Sequence, residues 1–223
     1  MKNNNFINHS YHACSKRFID LILASMFLLI LFPFFIIFWP ILLWQIGLPI
    51  IFKQKRTGQN GKEFTIYKFR TMVKNAESLR LKNQKKFTKL NYAPAPMFKI
   101  DNDPRFTKFG KVLSKTGLDE LPQVINVIKG DMALVGPRPL PVNEARELKK
   151  IDPSWYSWRH LVKPGLFSLW VLDDNRHQSL KIWQKLEKET LVLNLYQQYV
   201  LIIKIVFIQL KKTINLLCKT KSK

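Results

Sequence analysis

From Leu21 to Phe52 the chain carries no charged side chain, a run longer than a core helix needs and long enough to enter a bilayer. It is too long for a cleavable signal peptide and shows no small-residue processing site. Lys16 and Arg17 precede it, and Lys53, Lys55 and Arg56 follow. The positive-inside rule therefore draws both ends to the cytoplasmic side. A straight span cannot satisfy that. Pro33 lies partway along, where it removes a helical hydrogen bond and clashes with the preceding turn. The pattern predicts a re-entrant helix-break-helix over residues 16–56, with one tilted span as the competing arrangement. Residues 1–15, polar and Asn-rich, read as a disordered N-terminus.

After Thr57 the pattern is that of a soluble domain. Gly58 to Lys62 is turn-rich, and Glu63 to Met72 alternates as a strand, with Lys68 and Arg70 on one face. Val73 to Leu90 reads as a helix. Asp101 and Asp103 sit in an Asp-Pro turn ahead of the short amphipathic stretch Phe109 to Leu113, where such acids are more often turn formers than metal ligands. Gly117 to Gln123, continued by Val124 to Ile128, predicts a helix with Asp119 near its N-cap, Pro122 in the first turn and Gly130 at the stop. Met132 to Val135 predicts a buried strand, Val142 to Ile151 a helix ended by Asp152-Pro153, and Leu180 to Leu217 a long helical stretch. In that last stretch apolar residues alternate with Lys204, Lys211 and Lys212, which suits a helix in the headgroup plane beside a basic tail. Trp155, Tyr156 and Trp158 with Arg159 and Lys163 fit a membrane interface better than base stacking. The fold class is α+β, mainly α: the membrane segment, a compact cytoplasmic domain with short strands over 57–178, and amphipathic surface helices with the tail over 179–223.

Composition adds charge. Thirty-seven Lys and Arg against 15 Asp and Glu give +22, which calls for a polyanionic partner. The uncharged segment makes that partner anionic membrane lipid and not nucleic acid. Cys14 and Cys218 form neither a disulfide framework nor a metal-ligand spacing. Two stretches carry candidate chemistry. Asp119 and Glu120 open a helix start, where unpaired N–H groups suit anions, although acids there are often mere caps. Arg138 lies between Pro137 and Pro139, which stiffen its backbone and suit it to clamp phosphate.

With these residues assembled, the chain resembles the bacterial sugar transferase family, the monotopic polyprenyl-phosphate phosphoglycosyl transferases, in their small form. Thr65 to Met72, Asp103-Pro104-Arg105, Leu118 to Gln123, Lys129 to Met132, Val135 to Pro139 and Lys163 to Leu166 carry the resemblance, in order. It implies a catalytic domain on the cytoplasmic face of the bacterial inner membrane and two displacements. A carboxylate attacks the sugar-bearing phosphorus of a UDP-sugar, UMP leaves, and polyprenyl phosphate collects the phosphosugar as the first membrane step of glycan assembly. By matching position, Asp119 would be the nucleophile, Glu120 a Mg2+ ligand and Arg138 a phosphate holder. Lys68 and Arg105 would line the nucleotide pocket, with Arg70, Gln123 and Arg159 as further substrate-binding candidates; a homodimer is compatible with the pattern. The chain departs from the family at several points. Phe32 replaces a serine before the kink, Ser114 an arginine before the acid pair, and Phe167-Ser168 a Thr-Gly. Val171 to Asn175 replaces a Gln-Val-x-Gly-Arg pattern, with Arg176 one place late, and Asn194 replaces an aspartate. An inactive membrane scaffold of the same fold is the alternative these departures motivate.

Overall fold

The computed structural model describes residues 14–221, so most of the expected disordered N-terminus and the very end of the basic tail lie outside the described residues. The apolar segment forms helix α1 (Cys14–Ile46), with Pro33 and Pro40 inside it. Its parts Cys14–Pro33 and Phe38–Ile46 meet at 78°. The bend follows Pro33 directly, as a missing hydrogen bond and a crowded preceding turn require. Among the described residues no single helix is long and apolar enough to cross a membrane, whereas this bent pair together has the length and composition.

The uncharged run does not remain helical to its end. Strand β1 (Ile51–Thr57) pairs antiparallel with β2 (Glu63–Phe69), from Ile51 opposite Phe69 to Thr57 opposite Glu63. The sequence pattern places residues 51–56 in the membrane segment and misses β1, because a short apolar run reads alike as helix end or buried strand. Val73 to Leu90 divides into α2 (Ala76–Lys82) and α3 (Gln84–Leu90). Asn83 breaks it, its side chain donating back to the Leu79 carbonyl at 3.1 Å. Helix α4 (Lys108–Thr116) starts at Thr107, whose hydroxyl accepts from the Gly110 N–H at 2.9 Å. A 3-10 turn, Leu118–Gln123, precedes α5 (Val124–Lys129).

Strand β3 (Ala133–Val135) leads to β4 (Leu140–Pro141), which joins the other edge of β1. Helices α6 (Val142–Ile151) and α7 (Pro153–Arg159) follow, and the Asp152 carboxylate caps α7 by accepting from the Trp155 N–H at 2.8 Å. Strand β5 (Gly165–Phe167) lies parallel to β3. The predicted C-terminal stretch is two helices, α8 (Leu180–Val192) and α9 (Leu195–Lys221). The chain is mainly helical with two small sheets.

Trp155 and Trp158 correct the interfacial reading: they are 2 % and 4 % exposed, in a core with Trp170 and Trp183. Their three-residue spacing puts both on the inward face of α7, and an aromatic-basic run alone cannot tell that face from an outward one. Helix α9 has two apolar faces. Leu201 and Ile205 pack on Val135, while Tyr196, Val200, Ile203, Phe207, Leu210 and Ile214 form an exposed stripe.

Both ends of α1 are bonded to this domain. Near its start Arg17 donates to the Val127 and Ile128 carbonyls at 2.7 and 3.1 Å, and Asp20 accepts from the Leu134 N–H at 3.2 Å while pairing with Lys16. At its end the Arg70 guanidinium donates to the Ile46 and Gly47 carbonyls. These orphan carbonyls at a helix C-terminus need a partner, and a cation is favoured there.

Candidate active site

Thr116 ends α4, and Gly117, at φ +73°, turns the chain into the 3-10 segment that carries Asp119 and Glu120. The left-handed backbone favours glycine, and a Cβ here would also collide with the Gln209 amide of α9. Asp119 therefore stands in a tight turn, not at the N-cap of an α-helix, and no side chain caps that turn. Asn126, fully buried in α5, holds the turn in place. Its amide donates to the Thr65 carbonyl at 2.7 Å and accepts from the Tyr67 N–H at 3.2 Å. The acid pair is thus tied to β2, whose next residue is Lys68.

Lys68 Nζ lies 2.7 Å from Glu120 Oε1, and Arg138 Nη2 reaches the same oxygen at 3.1 Å. Arg138 is set by its backbone. Beneath it β3 and β5 come so close that a Cβ on Gly165 would fall on the Gly136 backbone, and the Gly165 N–H donates to the Pro137 carbonyl at 2.9 Å. Arg159 then donates to the Arg138 carbonyl at 2.6 Å, while its Nε and Nη2 bind Glu187 at 3.0 and 2.7 Å. Glu187 is fully buried and also accepts from the Trp155 and Trp183 indoles. A buried, fully bonded ion pair of this kind fixes geometry more than it adds stability. The Arg138 guanidinium stacks on the Trp170 ring, with Arg176 on the same ring, at 4.6 and 4.9 Å.

The two carboxylates differ in how readily they ionise. Burial pushes Asp119 up to about 6, although Lys68 and Arg138 pull it down. Burial would also raise Glu120, but charge and hydrogen bonds from Lys68 and Arg138 outweigh it and hold that carboxyl well below the usual range. Lys99 is lowered by burial and by the crowding of Arg138, Arg176 and Lys68. Four cations against two carboxylates leave an excess of positive charge suited to a diphosphate.

Asp119, Glu120, Lys68 and Arg138 line one cavity of about 370 Å³. The same cavity is walled by Phe27 and Leu31 of α1 and by Ile205, Val206 and Leu210 of α9. Charged and apolar walls meet in one space. The other sequence candidates do not line it. Arg70 closes α1, Gln123 is buried at the end of the 3-10 turn, and Arg159 acts through the Arg138 backbone. Arg105 is taken up by Asp103, with Nη2–Oδ2 at 2.6 Å, and lies over the Phe87 ring.

The family model described as bacterial sugar transferase matches residues 11–216 of this chain. The chain belongs to the bacterial sugar transferase family. The chain is 42% identical over 164 residues to the galactosyl transferase CpsE of Streptococcus agalactiae, covering 72% of the chain and 34% of CpsE. It is 36% identical over 174 residues to the UDP-glucose:undecaprenyl-phosphate glucose-1-phosphate transferase of Escherichia coli, covering 78% of the chain and 34% of that protein. With the exopolysaccharide production protein ExoY of Sinorhizobium fredii it shares 37% identity over 162 residues, 71% of the chain and 68% of ExoY. The chain thus spans about a third of the first two relatives.

Four residues that sequence reasoning did not assign also line the cavity: Lys99, Trp170, His177 and Gln209. Arg176, visible in the sequence as an arginine one place late, reaches the cavity as well. For Gln209 no signal existed, because only the packing of α9 against α4 brings it to Gly117.

Proposed function

We propose that this chain moves a phosphosugar from a UDP-sugar to polyprenyl phosphate at the cytoplasmic face of the membrane. The observation that carries the reading is the single cavity in which an ionised Glu120, held by Lys68 and Arg138, stands beside a buried Asp119, with apolar walls from α1 and α9. Such a space accepts a phosphate that carries a hydrocarbon tail. Two of the relatives quoted above bear names of sugar or sugar-phosphate transfer, one of them to undecaprenyl phosphate.

In the first displacement an Asp119 oxygen attacks the phosphorus that bears the sugar. The bond from that phosphorus to the bridging oxygen breaks, and UMP leaves with the oxygen. The acyl phosphate so formed is a mixed anhydride, reactive enough to pass its phosphosugar on. In the second displacement a phosphate oxygen of the polyprenyl phosphate attacks the same phosphorus, and the Asp119 carboxylate is released as polyprenyl-diphosphate sugar forms. Arg138, Lys68 and Lys99 neutralise charge on the diphosphate, and the Arg159–Glu187 pair keeps Arg138 in place.

Among the described residues no three His, Cys, Asp or Glu side chains converge on one point, so a metal cage made by the protein alone does not fit. Mg2+ does fit, since it takes one or two carboxylates and completes its shell with substrate phosphate and water. Glu120 and Asp119 would hold it there, and it would supply further neutralisation of the diphosphate.

The bent α1 supports a re-entrant membrane segment. Its two ends are bonded to one domain, by Arg17 and Asp20 at the start and Arg70 at the end, so they belong on one side of a bilayer. The exposed stripe of α9 would lie in the headgroup plane beside it. The test is UMP release from a panel of UDP-sugars by wild type and Asp119→Asn, with and without Mg2+ and polyprenyl phosphate. Mg2+-dependent release by wild type alone is expected. No release with any sugar, from a folded protein, overturns the reading in favour of an inactive scaffold.

A further inference from the structure

The stretch after β5 carries polar atoms that the transfer chemistry leaves unused. Both ring nitrogens of His177, the Trp170 Nε1 and the Arg176 Nε are shut off from solvent and have no hydrogen-bond partner among the described residues. Buried polar groups are nearly always paired, so four such atoms on three side chains call for an explanation. All three side chains line the cavity that holds Asp119.

His177 differs from its neighbours in kind. It stands edge-on to Trp170, with ring centroids 5.0 Å apart, and edge-on to Tyr92 at 6.3 Å. A half-turn about its Cβ–Cγ bond exchanges each nitrogen for a ring carbon without changing the shape of the side chain. Burial, with Lys99, Arg176 and Arg138 nearby, holds the imidazole down to about 3, so it is neutral at physiological pH. A neutral imidazole offers one donor and one acceptor. Lys68, Lys99, Arg138 and Arg176 can only donate, which suits phosphate oxygens. A hydroxyl needs an acceptor for its hydrogen and can take a donor at its oxygen; His177 provides both.

We propose that His177 reads a hydroxyl of the nucleotide-sugar donor, on the sugar or on the ribose, and so sets which donors this transferase accepts. This rests on the donor reading given above. A prenyl chain has no hydroxyl and a phosphate is met by the cations; the uracil imide also offers a donor and an acceptor, but it is the same in every hydroxyl analogue, so a loss confined to one hydroxyl assigns the contact to sugar or ribose.

The test is titration calorimetry of the full chain in detergent, in an Asp119→Asn background so that the donor is not consumed. The probes are UDP-sugars and the same donors lacking single hydroxyls, on the sugar in one series and on the ribose in the other. With His177 present, removal of one hydroxyl is expected to weaken binding by roughly tenfold. With His177→Phe the parent donor binds as weakly as that analogue, and the discrimination disappears. His177→Gln, which keeps a donor and an acceptor, restores part of it and guards against a packing defect. The series that responds tells sugar from ribose. Equal losses for every analogue in all three proteins, or no binding of any UDP-sugar, overturn the proposal. UMP release by the wild type judges the transfer reaction separately, so His177 can fail while that reading stands.

Discussion

Asp119 and Glu120 are adjacent in the chain and opposite in protonation behaviour. Glu120 shares one oxygen with Lys68 and Arg138, while Asp119 is buried with weaker compensation. On the proposed reaction Asp119 attacks as the carboxylate, so UMP release should rise with pH through about 6 on the acid side. Mg2+ should move that limb to lower pH, since a nearby cation favours the carboxylate. Stability runs the other way. The folded value lies above the unfolded one, so the folded state binds the proton more tightly and stability falls as pH rises from about 4 to 6. Asp119→Asn removes this cost and should stabilise the protein by up to about 3 kcal/mol at pH 7.5. Thermal unfolding in detergent with a chelator checks it, and the gain should vanish below pH 4. The acid pair and Arg138 were legible in the sequence because neighbours and bracketing prolines are local features. Their partners were only partly so: Lys68 stood out by strand alternation, whereas Lys99 and His177 lie in irregular segments whose packing no local pattern encodes.

At the scale of elements, the site depends on contacts remote from it. Arg159 was legible as a candidate, yet it serves by holding the Arg138 carbonyl through the pair with Glu187. Glu187→Ala leaves a buried guanidinium uncompensated and should cost about 3–5 kcal/mol. It should also raise the KM for the UDP-sugar, because the Arg138 backbone loses its tether; unfolding and initial-rate measurements report the two effects. The approach of β3 to β5 is equally demanding. Gly165→Ala puts a methyl on the Gly136 backbone, which cannot move aside as a side chain would. A loss of about 3 kcal/mol or more is expected in the same unfolding assay. The helix break at Asn83 and strand β1 were not legible. Local preferences there are nearly balanced, and pairing or capping decides them.

At the scale of the whole molecule, the apolar surfaces of α1 and α9 and the positive charge make one amphipathic body. Replacing Ile203 and Phe207, both exposed on α9, with glutamate should lower binding to anionic vesicles by tenfold or more. Co-flotation measures this, and the unfolding temperature should stay unchanged because neither side chain is in the core. The re-entrant reading makes a separate prediction. Exposed Cys14, before the bend, and a Lys62→Cys variant, after it, should both react with an impermeant thiol reagent added to the cytoplasmic face, in a Cys218→Ser background. Opposite faces would show a straight span.

By itself the sequence determined the uncharged segment with its proline break, the mainly helical α+β character, and the acid pair with its stiffened arginine. Each rests on residues close together, where hydropathy, proline geometry and backbone preference act over a few positions. Tertiary structure alone decided that Trp155 and Trp158 face a core and that α9 returns to the acid turn. These outcomes depend on which surfaces meet across many tens of residues. A helix with two apolar faces chooses between them only when the whole chain packs.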